Sequence, residues 1–279
     1  MARVIAPALE RRVGRRVTVQ NKPSGTDIAA GNLFKDDLQQ GLVVAFLPST
    51  TLSLKLPSSP FPFDSASGLV PLTTAGAFQV AFAVSPMTGA ASFAEYIAWV
   101  KAGSPGRARL ATTSTDAYLR IYGRMIGRDI GVPFEIVPDR GASGLAKSLM
   151  AGVVPAGLGS VATLLQQKRA RQVTIVMTSG HKRVRVLRDV PTVVELGYSN
   201  LELQEWYGFF ASSSSPRPAV AEWDRQLRAV LAQDEVVADL SQLGLEVEAS
   251  TAAETAARFE QHQQVWQQRM ASFGMKSDN

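Results

Sequence analysis

The sequence predicts an α/β fold: short apolar runs of strand length, polar Gly/Ser/Thr loops and amphipathic helical stretches follow one another in that order along most of the chain. Runs such as Leu42-Val43-Val44-Ala45-Phe46-Leu47 are continuously apolar rather than alternating, as suits strands covered on both faces of a parallel sheet. No repeat of fixed period is present, which argues against a solenoid.

The elements follow in order. Val4, Ile5, Ala8, Leu9 and Val13 recur at helical spacing, so Arg3 to Gly14 is a helix that stops at Gly14. Val17 to Val19 reads as a short strand, and Asp27 to Leu38 as a helix capped by Thr26. After the Leu42–Leu47 strand, Phe78 to Val84 is the next extended run, and Ser92 caps a helix to Lys101. Arg109 to Thr112 is a strand, Ala117 to Gly127 a helix, Phe134 to Val137 a strand and Leu145 to Ala151 a helix. Val153 to Leu158 is a strand interrupted by Pro155, followed from Ser160 by a helix to Lys168 and by a strand from Val173 to Thr178. Leu203 to Ala211 is extended. Beyond the Ser/Pro stretch 212–218, helices cover Ala219 to Ala232 and Glu235 to Leu243, a strand Leu245 to Glu248, and a last helix Ala252 to Ser272.

Composition narrows the function. At 46% hydrophobic and 19% charged residues, the chain can bury ordinary cores and is not a disordered sequence. The absence of cysteine removes disulfides, thiolate metal sites and cysteine nucleophiles. Two histidines, His181 and His262, are thin supply for a histidine metal centre or a His-based triad. The net charge is +5, with positives gathered at Arg3, Arg11, Arg12, Arg15, Arg16 and Lys22 and again between Lys168 and Arg188. No recognition-helix pattern or basic–aromatic interleaving accompanies them, so they read as solvated faces and nucleic acid is not expected. No run approaches the ~20 apolar residues that span a bilayer, and the first residues show no apolar segment with a cleavage site.

Ligands of open α/β sheets collect outside the carboxyl ends of the strands. Four loops at such places are small and hydroxylated: Ser49-Thr50-Thr51, Thr113-Ser114-Thr115, Gly141-Ala142-Ser143 and Gly159-Ser160-Val161. Their amides and hydroxyls suit a carboxylate, aided by a helix dipole worth a few tenths to ~1 kcal/mol. Taken singly, each loop is also an ordinary helix N-cap; their number and placement favour a shared site.

Several segments carry a family resemblance. Val137-Pro138-Asp139-Arg140-Gly141-Ala142-Ser143 through Leu149-Met150-Ala151-Gly152, Asp189-Val190-Pro191-Thr192 through Glu195-Leu196-Gly197-Tyr198, and Trp206-Tyr207-Gly208-Phe209-Phe210-Ala211 with Pro216-Arg217-Pro218 resemble runs found together in the substrate-binding proteins of tripartite tricarboxylate transporters. Val17-Thr18-Val19-Gln20-Asn21-Lys22-Pro23-Ser24-Gly25 is similar to an N-terminal run of the same family. The resemblance implies a two-domain, Venus-flytrap fold of the type II periplasmic-binding-protein class, each domain a mostly parallel sheet flanked by helices. Domain 1 would comprise residues 1–84 and 207–279 and domain 2 residues 85–206, with two hinge crossovers. It further implies a periplasmic, monomeric receptor that closes over a small carboxylate and passes it to a membrane permease, with no cofactor and no metal. Ligand contacts would come from Ser49, Thr50, Thr113, Ser114, Thr115, Gly141, Ala142, Ser143 and Ser160, with Asp116 and Arg140 flanking them.

The departures are as definite. The family's first strand and acidic ligand loop precede the helix at which Met1 falls, so either the true start lies upstream or the receptor has diverged. The family's pocket-loop Tyr-Lys-Gly is Asp139-Arg140-Gly141 here, and Pro155-Ala156 stands where an Asp is common. Two readings stand for Arg140, a bidentate partner for a second carboxylate and a solvated loop residue. Asp116 reads equally as a first-turn acid favoured by the helix dipole. Trp206 and Tyr207 are expected to pack at a crossover strand, and Glu195 and Glu205 form no recognisable catalytic pair. The expectation is therefore a non-enzymatic receptor for a di- or tricarboxylate, an acidic amino acid or an aromatic acid. The alternatives are a sensor presenting its closed form to a signalling partner, and a receptor that has lost binding.

Overall fold

A computed structural model describes residues 1–21, 43–50, 69–113, 117–139 and 141–272. The expected helix Asp27–Leu38 lies outside these residues. The chain divides into two compact units, one of Met1–Ala77 with Glu205–Asn279 and the other of Phe78–Gln204.

In the first unit, helix α1 (Ala2–Val13) buries Ile5, Ala6, Ala8 and Leu9 and ends at Gly14, whose φ of 64° is the left-handed C-cap that glycine adopts without strain. It packs on α6 (Arg217–Leu231) and α7 (Asp234–Gln242). Val17–Val19 forms no strand among the described residues; the Val17 amide donates instead to the Glu10 carboxylate at 2.9 Å. A strand needs a partner for its backbone groups, and apolar composition alone does not supply one. The four-stranded sheet has the order β1 (Ala45–Pro48), β8 (Glu205–Ser212), β2 (Leu69–Phe78), β9 (Glu246–Val247). The β1–β8 and β2–β9 pairs are antiparallel. The last helix, α8, covers Ala252–Ser272.

The second unit is a five-stranded sheet in the order β5 (Glu135–Pro138), β4 (Arg109–Thr112), β6 (Ala156–Ser160), β3 (Val80–Val84), β7 (Thr174–Thr178). β4 is parallel to both β5 and β6, whereas β3 runs antiparallel to β6 and β7. The α/β class holds with mixed rather than mostly parallel sheets. β3 follows β2, a strand of the first unit's sheet, after a single residue. Along β3 the side chains alternate between faces. Ala81 and Ala83 sit in the cluster with Leu145, Leu149, Val161 and Leu164 of α4 (Gly141–Met150) and α5 (Val161–Arg169). Phe82 meets Phe93 and Tyr96 of α2 (Phe93–Lys101), with ring centroids 5.4 and 5.2 Å away. Helix α3 (Ala117–Ile130) packs against β4, β5 and β6, closely enough that a Cβ on its Gly123 would lie 2.9 Å from Ile136 Cδ1.

The segment Asp189–Tyr198 latches onto the end of β7. Thr178 donates its amide to Pro191 O at 3.0 Å and accepts from the Val193 amide at 2.8 Å. Thr192 and Glu195 exchange the reciprocal bonds of a capping box: the Thr192 amide donates to Glu195 Oε2 and the Glu195 amide to Thr192 Oγ1. Arg183 Nε reaches both Glu195 oxygens at 2.9 Å, and Nη1 donates to Arg188 O at 2.8 Å. Arg183, and after it Thr192, hold the Glu195 carboxyl below its ordinary range, so its small contribution is present above the usual carboxylate range and lost as pH falls through the lowered value. The Thr192→Ala variant should lose about 1 kcal/mol in denaturant melts. No change would mean that backbone bonds alone hold the latch.

Candidate ligand-binding site

Three of the four hydroxylated loops come together, because β5, β4 and β6 are neighbours that run in one direction. Thr112 pairs with Pro138 on one side and Leu158 on the other, so the chain leaves the three strands at one edge of the sheet. There it forms Thr113, the start of α4 at Gly141, and Ser160 at the start of α5. The packing at this edge requires small residues. A Cβ on Gly159 would lie 3.0 Å from Thr113 Cγ2, and one on Gly157 2.5 Å from Leu145 Cδ1.

The two helix starts differ in what they leave open. At α5 the Val161 amide donates to Gln79 O at 2.9 Å, and Ser160 Oγ accepts from the Thr163 amide at 3.3 Å and contacts Thr163 Oγ1 at 2.9 Å. Ser160 is thus committed as an N-cap. At α4 the Gly141 amide donates to Asp139 O at 2.9 Å, and Gly141 takes a φ of 69°. The amides of Ala142, Ser143 and Gly144 then belong to a first turn, where no intrahelical acceptor exists. Ser143 is exposed. Neither α4 nor α5 carries an acidic residue in its first turn, in contrast to Glu95 of α2, Asp234 and Glu235 of α7 and Glu254 of α8. The lack of a first-turn acid is shared by α1, α3 and α6; of the two helix starts at this edge, α5 is already capped, and α4 is the one whose first turn shows no side-chain cap among the described residues. Ser114, Thr115, Asp116 and Arg140, with the side chain of Ala142, lie outside the described residues.

Ser49 and Thr50 belong to the first unit, immediately after β1, and both are buried. Ser49 Oγ donates to Glu205 Oε2 at 2.6 Å and accepts from the Trp206 amide at 3.2 Å. The same carboxylate meets His262 Nε2 at 2.6 Å and accepts from Trp266 Nε1 at 3.1 Å. Sequence reasoning passed over this cluster, treating Glu205 only as no catalytic partner and His262 as one of two scattered histidines. The available signal was the spacing of His262 and Trp266, four residues apart and so on one face of α8. The order of contacts does not form a hydrolytic triad: Ser49 donates to the carboxylate rather than to the imidazole, and it is fully buried.

An open cavity of about 470 Å³ lies at α1, lined by Arg3, Ala6, Pro7, Glu10, Arg11, Val17 and Val19, and shares no residue with these loops. Among the described residues no group of three or more His, Asp or Glu side chains is placed to hold a metal ion. No described helix is long and apolar enough to cross a membrane.

A curated relative from Pseudomonas sp. (strain P51), the UPF0065 protein in the tcbD-tcbE intergenic region, is 24% identical over all of this chain and 83% of its own length. A structure of Rpa4515 from R. palustris with adipate superposes with a TM-score of 0.91 at 18% identity, covering 99% of this chain and 92% of that one. MatC from Rhodopseudomonas palustris with bound malate gives a TM-score of 0.81 at 18% identity, over 96% and 92% of the two chains. The family model described as tripartite tricarboxylate transporter family receptor matches residues 1–272, and the chain belongs to that family.

Proposed function

We propose that this chain is an extracytoplasmic solute-binding protein that captures a small carboxylate and delivers it to the membrane permease of a tripartite transporter, without catalysis. The observation that carries this reading is the sheet edge where β4, β5 and β6 end together in Thr113, the acid-free start of α4 and the capped start of α5. A carboxylate there would accept from backbone amides of the Gly141–Gly144 turn and from the Thr113 hydroxyl, donors that need no Arg or Lys. Ser49, Thr50, Ser114, Thr115, Asp116 and Arg140 remain part of the proposed contact set. Malate and adipate, bound in two solved structures of the same fold, support testing dicarboxylates first.

A thermal-shift screen tests this with malate, adipate, succinate, citrate, aspartate, glutamate, nicotinate, benzoate and terephthalate. Ligand at a hundred times its dissociation constant adds ~2.7 kcal/mol, which raises the melting temperature by several degrees. A saturable shift confined to one chemical class supports a working receptor. A cooperative melt that none of these acids moves contradicts it.

A further inference from the structure

The cluster around Glu205 has a role beyond packing, and we propose that Glu205 is the positioning residue of the Ser49–Thr50 turn, held in that task by His262 and Trp266. The inference rests on the reading that this turn is among the ligand contacts. Glu205 is fully buried at the first position of β8, yet its carboxylate is well supplied. Ser49 Oγ donates to Oε2 at 2.6 Å, His262 Nε2 lies 2.6 Å from the same oxygen, and Trp266 Nε1 donates to Oε1 at 3.1 Å. Trp266 Nε1 also lies 3.1 Å from His262 Nε2. An indole can only donate, and a carboxylate can only accept when ionised, so the arrangement is satisfied when Nε2 of His262 carries its proton towards Glu205. Among the described residues, Arg258 has its guanidinium 5.9 Å from the Trp206 ring and pairs with Glu248, and Arg269 lies 5.6 Å from the Trp266 ring.

The consequence falls on Ser49. Its hydroxyl proton is directed inward to Glu205, while its oxygen accepts from the Trp206 amide, the residue that follows Glu205 on β8. Glu205 therefore sets the direction of the Ser49 hydroxyl, while the β1–β8 ladder, with Pro48 opposite Tyr207, sets the distance of Ser49 from β8. The turn meets a ligand with its backbone and with Thr50 rather than with the Ser49 hydroxyl. A buried carboxylate is costly unless paired, and one carried only for packing could be replaced by an apolar residue. Its use here is to hold a polar turn in a single geometry.

The test combines affinity with a readout that needs no ligand. In the full chain, Glu205→Gln, Ser49→Ala, their double variant and His262→Gln are titrated with malate and adipate, and amide exchange at Trp206 is followed without ligand. Each single variant is expected to melt cooperatively, to exchange the Trp206 amide faster and to bind about tenfold more weakly. The double variant should bind no more weakly than the worse single one, since the two residues act as a unit. Binding by wild type and Glu205→Gln with equal affinity overturns the proposal alone, and so does additive loss in the double variant. If Glu205→Gln does not fold, Ser49→Ala and His262→Gln carry the same comparison. Absence of binding by the wild-type chain overturns the functional reading, and this inference with it.

Discussion

Replacing Ser179 with alanine is expected to remove about 2–4 kcal/mol from the stability of the second unit, a large loss for one hydroxyl. Ser179 follows β7 and is fully buried. Its Oγ donates to Leu203 O at 2.6 Å and accepts from the Val80 amide at 2.9 Å. Its own backbone donates to Val80 O at 2.9 Å and accepts from the Leu203 amide at 2.7 Å. One residue thus binds the segment by which the chain enters the unit and the segment by which it leaves. Alanine keeps the two backbone bonds but strands a buried carbonyl and a buried amide, each costing about 1–3 kcal/mol. Neighbouring Gln79 repeats the device: its Oε1 accepts from the Gly180 amide at 2.9 Å and its Nε2 donates to Lys182 O at 2.8 Å. Denaturant unfolding of the variant, followed by amide exchange at Val80 and Leu203, checks the claim. Equal stability would mean that the two segments are held by the sheet alone.

The second large effect is expected at Gly76, where alanine should destabilise the first unit by about 2–5 kcal/mol. Gly76 lies in β2 opposite Val247 with a φ of 149°, and a Cβ there would stand 2.3 Å from the Glu246 carbonyl oxygen. The obstacle is backbone and cannot rotate away, so β9 must leave the sheet or β2 must bend. Gly14 provides the control. It also has a positive φ, 64°, but a Cβ added there would meet nothing within 4 Å, so alanine should cost only about 1–2 kcal/mol. Equal losses at the two positions would show that conformation, not contact, sets the requirement for glycine.

Much of the fold was legible in the sequence where signals are local. Helix α8 and strand β4 have the expected bounds, and Ser92 and Ser160 cap helices as their hydroxyls suggested. The failures have physical causes. Strand β2 up to Ala77 went unread because Pro71, Thr73, Thr74 and Gly76 break any apolar pattern, the two threonines being satisfied by partners distant in sequence, such as Ser250 and Glu248. Helix α4 begins at Gly141 rather than Leu145, since a start rich in glycine and serine carries no helical periodicity. The direction of β3 could not be read, because a strand buried on both faces has the same composition whichever way it runs.

The candidate site was legible to the same degree. Thr113, Gly141 and Ser160 were named from the rule that ligands gather at the ends of strands, and the strand order brings them to one edge of the sheet. What the loops leave open was not all legible: the N-cap role of Ser160 is local and was suggested by its hydroxyl, but the engagement of Ser49 with Glu205 joins residues 156 apart. Pair spacing along one helix face hinted at His262 and Trp266, but their shared acceptor lies on another element.

The most direct measurement is backbone amide exchange across the whole chain, with and without a saturating concentration of the carboxylate that most raises the melting temperature. Slowed exchange concentrated at residues 113, 141–145 and 160–163 is the predicted result, because the proposed site lies at that edge of the sheet. Protection confined to the α1 cavity between Arg3 and Val19, or no protection by any carboxylate, would contradict the account.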